Sequence, residues 1–489
     1  MLIEKAQNSP WQPVIGLEIH VQLNTKSKLF SHAPNRFGDE PNVNITDVCT
    51  GQPGTLPVLN KEAVRKAVQF GCAVEAHVSR FSKFDRKSYF YPDSPRNYQI
   101  TQFDEPIILG GSISTEVNGV MKQFFINRAH LEDDSGMLKH FSTFAGIDYN
   151  RAGAPLIEIV SEPCIHSAKE AAAYGQAIKA IMTYLDVSNC NMDEGSLRID
   201  ANVSIRLKTE KGLRNKIEIK NMNSFSNMEL AIDAEIQRQI ELYTLHADKD
   251  PNEVIEAGTY RFDPELKRAV LMRKKETAED YRYFPEPDLV PIVLSESYIE
   301  EIRNTLPELP YQRFKRYTEK LGLPKETAET LILDKALSDY FEEALISCKN
   351  PKALSNWIIV EFTGRIKESN QTLKQSGILA HHVTALINMI EDGSLTGKIA
   401  KSVADDMTAT PGKDPTEIVK NNPDYQPLSD TASIEALVDQ VLEENPQSIA
   451  DYKAGKARAY GFLVGQVMKL CKGTASPSVV NQLLTQKLI

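Results

Sequence analysis

Two segments of this chain alternate apolar and polar residues so regularly that they read as half-buried β-strands, and their polar halves carry much of the chemistry in the sequence. In PVIGLEIHVQL (13–23), Leu17, Ile19, Val21 and Leu23 face one way while Gly16, Glu18, His20 and Gln22 face the other. In LRIDANVSIRL (197–207), Leu197, Ile199, Ala201, Val203 and Ile205 line one side, with Arg198, Asp200, Asn202, Ser204 and Arg206 opposite. KIEIK (216–220) repeats the pattern with Glu218 and Lys220 on its polar side. Helical patterns intervene. Ser167 is followed by Glu170 and Ser226 by Glu229, both capping-box spacings, and Ile232, Ile236 and Ile240 keep one helical face. A further helix begins after Asn60, with Val64, Ala67, Val68 and Cys72 inward. Strands with function on one face and helices against the other imply an α+β layer with an open antiparallel sheet.

Proline at 285, 287, 291, 307 and 310 breaks this regime, and the pattern beyond is helical, with a second break at 411–427. The 489 residues are therefore divided into 1–293, 294–410 and 411–489, in line with roughly 150 residues per domain. Charge is uneven along the chain. Residues 451–489 carry Lys453, Lys456, Arg458, Lys469, Lys472 and Lys487 against Asp451, a net +5, which leaves −15 for residues 1–450 of a chain at −10. Such a tail suits phosphate contact on an otherwise acidic protein. No apolar run of about 18 residues could span a bilayer. The opening MLIEKAQNSPWQP carries neither a signal nor a transit pattern, so a cytoplasmic location is expected. The six cysteines form no C-x-x-C clip and read as reduced thiols.

Glu18 and His20 lie two apart on one strand, about 6.6 Å at a rise of roughly 3.3 Å per residue, so both can reach one ion. HLEDDSG (130–136) adds Glu132, Asp133 and Asp134 at what reads as a strand end, and Asp200 and Glu218 occupy the other polar faces. Carboxylates gathered without cysteine favour a hard cation such as Mg²⁺. From spacing alone, solvated strand faces with incidental acids fit as well. Residues 80–103 interleave Arg80, Lys83, Arg86, Lys87 and Arg96 with Phe81, Phe84, Tyr89, Phe90, Tyr91 and Tyr98, and DYRYFPEPD (280–288) has similar texture. That composition fits a single-stranded nucleic-acid end, but from the residues alone a strand pair with an aromatic core and a charged outer face is the favoured reading. There is no G-x-G-x-x-G, no P-loop and no G-x-S-x-G, which excludes a Walker ATP site and a serine-hydrolase elbow.

Taken together, VIGLEIHVQL, CTGQPGTLPVLN, KSYFYPDSPRNYQITQFDEP, HLEDDSG, DYNRAGAPLIEIVSEP, MDEGSLRIDANVSIR, EIKNMNSF, DYRYFPEPDL and GFLVGQVMK resemble, essentially end to end, the B subunits of bacterial GatCAB-type tRNA-dependent amidotransferases. The resemblance implies that the side-chain carboxylate of misacylated Glu-tRNA(Gln) or Asp-tRNA(Asn) is phosphorylated with ATP and Mg²⁺, then amidated by ammonia from a partner amidase. It implies metal ligands at Glu18, His20, Asp133 and Glu218, and cations for phosphate at Arg198, Lys220 and Arg273, with Asp200 beside them. It also implies a cradle-shaped first domain, a helical domain, and a tail that binds the outer corner of the tRNA. The implied partners are the amidase, or A, subunit, together with the small C subunit, in a heterotrimer.

One departure stands out. Many relatives carry a C-x-C then C-x-x-C zinc site over 31–49, where this chain reads Ser31, Ala33, Thr46 and Cys49. One cysteine of four cannot hold structural zinc, so none is expected and other contacts must support that stretch. The competing readings are a noncatalytic tRNA-binding scaffold and a free-standing Mg²⁺ hydrolase, the latter opposed by the lack of a nucleophile motif.

Overall fold

The computed structural model describes residues 9–274, 281–425, 431–453, 456–471, 475 and 477–488. Its dominant feature is a ten-stranded sheet. The strands are β1 (Trp11–Gln22), β2 (His77–Val78), β3 (Ile108–Leu109), β4 (Ser112–Val117), β5 (Val120–Asp133), β6 (Pro155–Ser161), β7 (Leu197–Leu207), β8 (Ile217–Lys220), β9 (Gly258–Asp263) and β10 (Arg268–Lys274). They run in the order β10-β9-β8-β7-β1-β6-β5-β3-β2, and β4 pairs with β5. The sheet is open, but it is not wholly antiparallel. β8 pairs with β9 in parallel, while the other pairs run antiparallel. A parallel pair needs a long crossover, and here the chain between the two strands contains the helix Phe225–Leu245. The sheet is therefore mixed, and the antiparallel expectation fails where a helix separates two strands that are consecutive in the chain and also neighbours in the sheet.

Alternation in β1 and β7 is realised as read: Leu17, Ile19, Val21, Ile199, Ala201 and Val203 are buried in one core. Three long helices join that core, α1 (Lys61–Ala73), α2 (Ala168–Tyr184) and α3 (Phe225–Leu245), and the shorter helix Glu296–Asn304 adds Ile299 and Ile302 to it. Asn60 caps α1 by accepting from the Glu62 N–H, and Ser167 caps α2 by accepting from the Glu170 N–H. For α3 the cap is Ser224, which accepts from the Asn227 N–H, so the helix starts two residues before the capping box read at Ser226. Helix and sheet approach closely at Gly175, where an added Cβ would sit 2.9 Å from the Phe225 ring and 3.1 Å from Ile199.

The chain forms two compact units, divided between Gln312 and Arg313. The second unit is helical among its described residues and holds two apolar cores. One gathers Phe314, Tyr317, Phe341, Phe362 and Ile387, and the helix Pro415–Asn421 adds Ile418 and Val419 to it. The other begins at Ile434 and takes in Val438, Leu463, Val467 and Leu484. No described helix is long and apolar enough to cross a membrane.

Candidate active site on the polar face of the sheet

The strand register decides which polar residues meet. His20 on β1 lies opposite Glu158 on β6 and Arg198 on β7, and Glu158 lies opposite His130 on β5. One row across four strands thus reads Arg198, His20, Glu158, His130. The adjacent rows bring Glu18 opposite Asp200, and Asn202 opposite Glu218. All of these residues except Asn202 border a cleft of about 900 Å³, also lined by Lys87, Arg96, Lys220, Tyr281 and Tyr283.

His20 Nε2 lies 3.4 Å from Glu132 Oε1, 3.4 Å from Glu158 Oε2 and 3.9 Å from Glu18 Oε1. His130 Nε2 lies 3.5 Å from Glu158 and 3.8 Å from Glu132. Burial opposes a charged imidazole at both positions, but hydrogen bonds and charge from Glu132 and Glu158 outweigh it. His20 is held well above its ordinary value and His130 is raised to about 9. The carboxylates respond in the opposite sense: burial resists their ionisation, yet the imidazoles bring Glu132 down to about 2 and Glu158 well below its usual range. Burial and the Glu158 charge raise Glu18. This cluster is an assembly of acids whose counter-charge is supplied by protons on two histidines.

Glu18, His20 and Glu158, and separately His130, Glu132 and Glu158, each present three ligand atoms within 4.8 Å of one another. An oxygen-rich set with an imidazole fits a hard divalent cation, which would displace the imidazole protons. Among the described residues, His130 Nδ1 is buried without a hydrogen-bond partner, consistent with a site that leaves room for a ligand.

The other residues named from sequence are placed differently. Glu218 and Asp200 share Lys220, whose Nζ lies 2.9 Å from one and 2.6 Å from the other, and Thr259 donates to Glu218 at 2.9 Å. Burial works against the Lys220 ammonium, but these carboxylates raise it above its ordinary value. Asp133 falls on the opposite parity of β5 from His130 and Glu132. Its carboxylate pairs with Arg96 and accepts from the Ile100 N–H at 2.9 Å, and burial raises it. Neither Asp133 nor Glu218 joins the three-ligand groups among the described residues. Arg198 donates to Asp134 at 2.7 Å, with Arg151 3.4 Å from the same carboxylate. Arg273 lies opposite Thr259 in the register, and its side chain is outside the described part of the structure.

Glu158 and His130 escaped the sequence reading for different reasons. PLIEIVS has only one acid in its polar slots, Leu156 and Val160 filling the others, so it reads as an apolar run. The acids of HLEDD do fall at a strand end, since β5 stops at Asp133, but that reading takes in only the last member of the polar face, which runs Arg128, His130 and Glu132 along the cleft side. Carrying the alternation back two residues from Glu132 would have found His130. The aromatic stretch 80–103 does form a strand pair, Asp85–Ser88 against Tyr98–Thr101, yet Tyr89, Phe90 and Tyr91 are exposed rather than core. Its cations are largely engaged: Arg86 donates to Glu286 at 2.7 and 2.9 Å, and Lys83 lies 2.6 Å from Asp85. Lys87 borders the cleft with its ammonium 4.8 Å over the Tyr281 ring, raised against burial by Glu132, Tyr283 and Glu158.

Residues 13–300 match the family described as GatB/GatE catalytic domain, and residues 339–488 match a second described as GatB domain. The chain is 68% identical over 481 residues to the B subunit of the aspartyl/glutamyl-tRNA(Asn/Gln) amidotransferase of Protochlamydia amoebophila, covering 98% of this chain and 97% of that one. It is 57% identical over 478 residues to the B subunit of the same enzyme in Chlamydia abortus, covering 98% of each. The clustered acids and histidines lie within the first matched region and the two helical cores largely within the second, and on these matches the chain belongs to the GatB family.

Proposed function

We propose that this chain is the activating subunit of a tRNA-dependent amidotransferase, phosphorylating the side-chain carboxylate of Glu-tRNA(Gln) or Asp-tRNA(Asn) with ATP before ammonia replaces the phosphate. The observation that carries the reading is the convergence of Glu18, His20, Glu132, Glu158 and His130 on one sheet face, beside Lys87, Lys220 and Arg198 in a single cleft. A carboxylate is a poor electrophile, and its attack on a phosphoryl group brings two anions together, so this chemistry needs dense, preorganised positive charge. Lys87 and Lys220, both held protonated by neighbouring acids, and the guanidinium of Arg198 supply it. Glu18, His20 and Glu158 would hold the divalent cation, which when bound supplies charge neutralisation on the transferring phosphate. Glu132 and His130 orient that set from behind.

The same reading gives the rest of the chain its roles. The unit containing the ten-stranded sheet forms a cradle for the acceptor end of the tRNA, the helical core of 314–419 follows, and the tail holds the outer corner of the tRNA. Ammonia comes from the amidase, or A, subunit, and the small C subunit makes up the heterotrimer, which acts in the cytoplasm; the cofactors are ATP and Mg²⁺, without zinc. The test is ADP release and amide formation by the assembled complex with each misacylated tRNA. Amide formation without stoichiometric ADP would overturn the phosphorylation step, and a complex that binds tRNA without either product would leave the chain a scaffold.

A further inference from the structure

Away from the acid cluster, one lysine side chain is completely buried. Lys28 has no solvent exposure, and among the described residues its ammonium contacts no carboxylate. It donates to the Ala152 carbonyl at 2.7 Å, to the Tyr149 carbonyl at 3.3 Å, and to Cys49 Sγ at 3.6 Å. Among the described residues Nζ thus faces two backbone carbonyls and the Cys49 sulfur, an acceptor for each of the three N–H groups of an ammonium. A buried cation needs a counter-charge.

Cys49 is the group placed to provide it. Its sulfur lies 3.3 Å from Ser31 Oγ and 3.4 Å from Thr46 Oγ1. Ser31 Oγ already accepts from the Ala33 N–H at 3.3 Å, so its own hydrogen is free to donate to sulfur. Gly153, with φ +85°, packs over the pair, and a Cβ there would lie 3.5 Å from the lysine stem and 3.9 Å from sulfur. Burial pushes the Cys49 thiol up, but the Ser31 and Thr46 hydrogen bonds and the Lys28 charge bring it below its ordinary value. Cys49 is nearly buried yet borders the cleft, a route for a small solute.

We propose that Lys28 and Cys49 form a thiolate–ammonium pair and that Cys49 is a modification site for small hydroperoxides. The sulfur attacks one peroxide oxygen, the O–O bond breaks, and the departing hydroxide takes a proton from Lys28. The thiolate, hydrogen peroxide and ammonium become sulfenic acid, water and a neutral amine. Oxidation thus erases the ion pair that ties residues 28 and 49 to the 149–152 turn. That turn carries Arg151, whose guanidinium donates to the Ser135 and Gly136 carbonyls at 3.0 and 2.8 Å.

The test uses the full chain treated with hydrogen peroxide, with a sulfenic-acid trap and peptide mass spectrometry. Trapping at Cys49 in preference to Cys164 and Cys348, which are more exposed, is expected, since thiolate character rather than access decides the reaction. In parallel, the pH profile of Cys49 alkylation has its midpoint below that of a free thiol, about 8.5. The midpoint moves up in Ser31→Ala and further in Lys28→Met. Should Lys28→Met not fold, Ser31→Ala, which leaves Lys28 and the backbone intact, carries the test. A Cys49 midpoint at or above that of a free thiol, or trapping at Cys164 and Cys348 with Cys49 unmodified, overturns the proposal.

Discussion

Two acidic clusters share one face of the sheet, and they differ in what neutralises them. Around Asp200 and Glu218 the counter-charge is Lys220, a fixed ammonium at 2.6 and 2.9 Å. Around Glu132 and Glu158 it is a pair of imidazoles, which can lose their protons to a metal. A lysine cannot be displaced so easily. The first cluster is therefore organised to present positive charge, and the second to exchange protons for a cation.

The sharpest way to break that comparison is to neutralise one acid in each cluster. Glu158 belongs to both three-ligand groups, so Glu158→Gln is expected to reduce ATP-dependent carboxylate activation by roughly 10²-fold or more. Glu218→Gln leaves Lys220 its Asp200 partner and is expected to cost roughly tenfold or less. Both are read as ADP release with misacylated tRNA. Equal losses would mean that the two clusters act as one metal site and that Lys220 gives way when the cation arrives.

Asp133→Asn discriminates by stability instead. It removes the buried partner of Arg96, and stripping one member from a buried pair costs roughly 3–5 kcal/mol. Glu158→Gln relieves repulsion with Glu132 and Glu18 but gives up a carboxylate that the two imidazoles hold well below its usual range, whereas burial raises Asp133, so Glu158→Gln is expected to cost more. Denaturant unfolding of the two variants checks the order. If Asp133→Asn kept wild-type stability and abolished ADP release, Asp133 would act on the cation directly.

A smaller effect follows from the imidazoles. His130 is raised to about 9 in the folded chain, so its stabilisation is complete below its ordinary value of 6.5 and is lost as pH rises through 9. Glu132, lowered to about 2, stabilises above its ordinary 4.5 and loses that contribution as pH falls toward 2. With chelator present, thermal stability should plateau between these ordinary values and decline toward pH 9. His130→Gln should flatten the alkaline decline. Cation affinity should move the other way, strengthening as pH rises, because protons and metal compete for the same atoms.

What was legible in the sequence followed from patterning with two partners per residue. β1 and β7 alternate without exception through their central residues, so their apolar faces, and with them Glu18, His20, Arg198 and Asp200, could be assigned before any pairing was known. Which acids would meet depended on register, a long-range property: His20 meets Glu158 only because β1 pairs with β6. Asp133 looked equivalent to Glu132 as a neighbour in HLEDD, yet one residue reverses the face. The region 31–49 shows the same limit, since Ser31, Thr46 and Cys49 do converge, but on Lys28, whose burial no local pattern announced.

The tail poses the comparison of fixed and exchangeable charge once more, and here the sequence count overstates the free charge. Lys487 lies 2.8 Å from Glu435 and 2.7 Å from Asp439, both on the helix Thr431–Glu444, so it serves the tail's own packing. Lys456 lies 3.0 Å from Asp451 but is two-thirds exposed, and such a surface pair yields readily to phosphate. Arg458 is exposed at the start of the helix Ala457–Leu470, which also carries Lys469 near its end. Since Ile418 and Val419 belong to the preceding core, the truncation that removes the tail cleanly begins at 431 rather than 411. Deleting 431–489 is expected to raise the KM for charged tRNA several-fold, leave ADP release at saturating tRNA near its original rate, and flatten the salt dependence of binding by roughly 0.7–0.9 in log–log slope for each phosphate no longer held. Lys487→Gln alone should change stability and not the salt slope. If the slope fell with Lys487→Gln, or stayed unchanged on deletion, phosphate would be held elsewhere, and the cations lining the cleft would be the place to look.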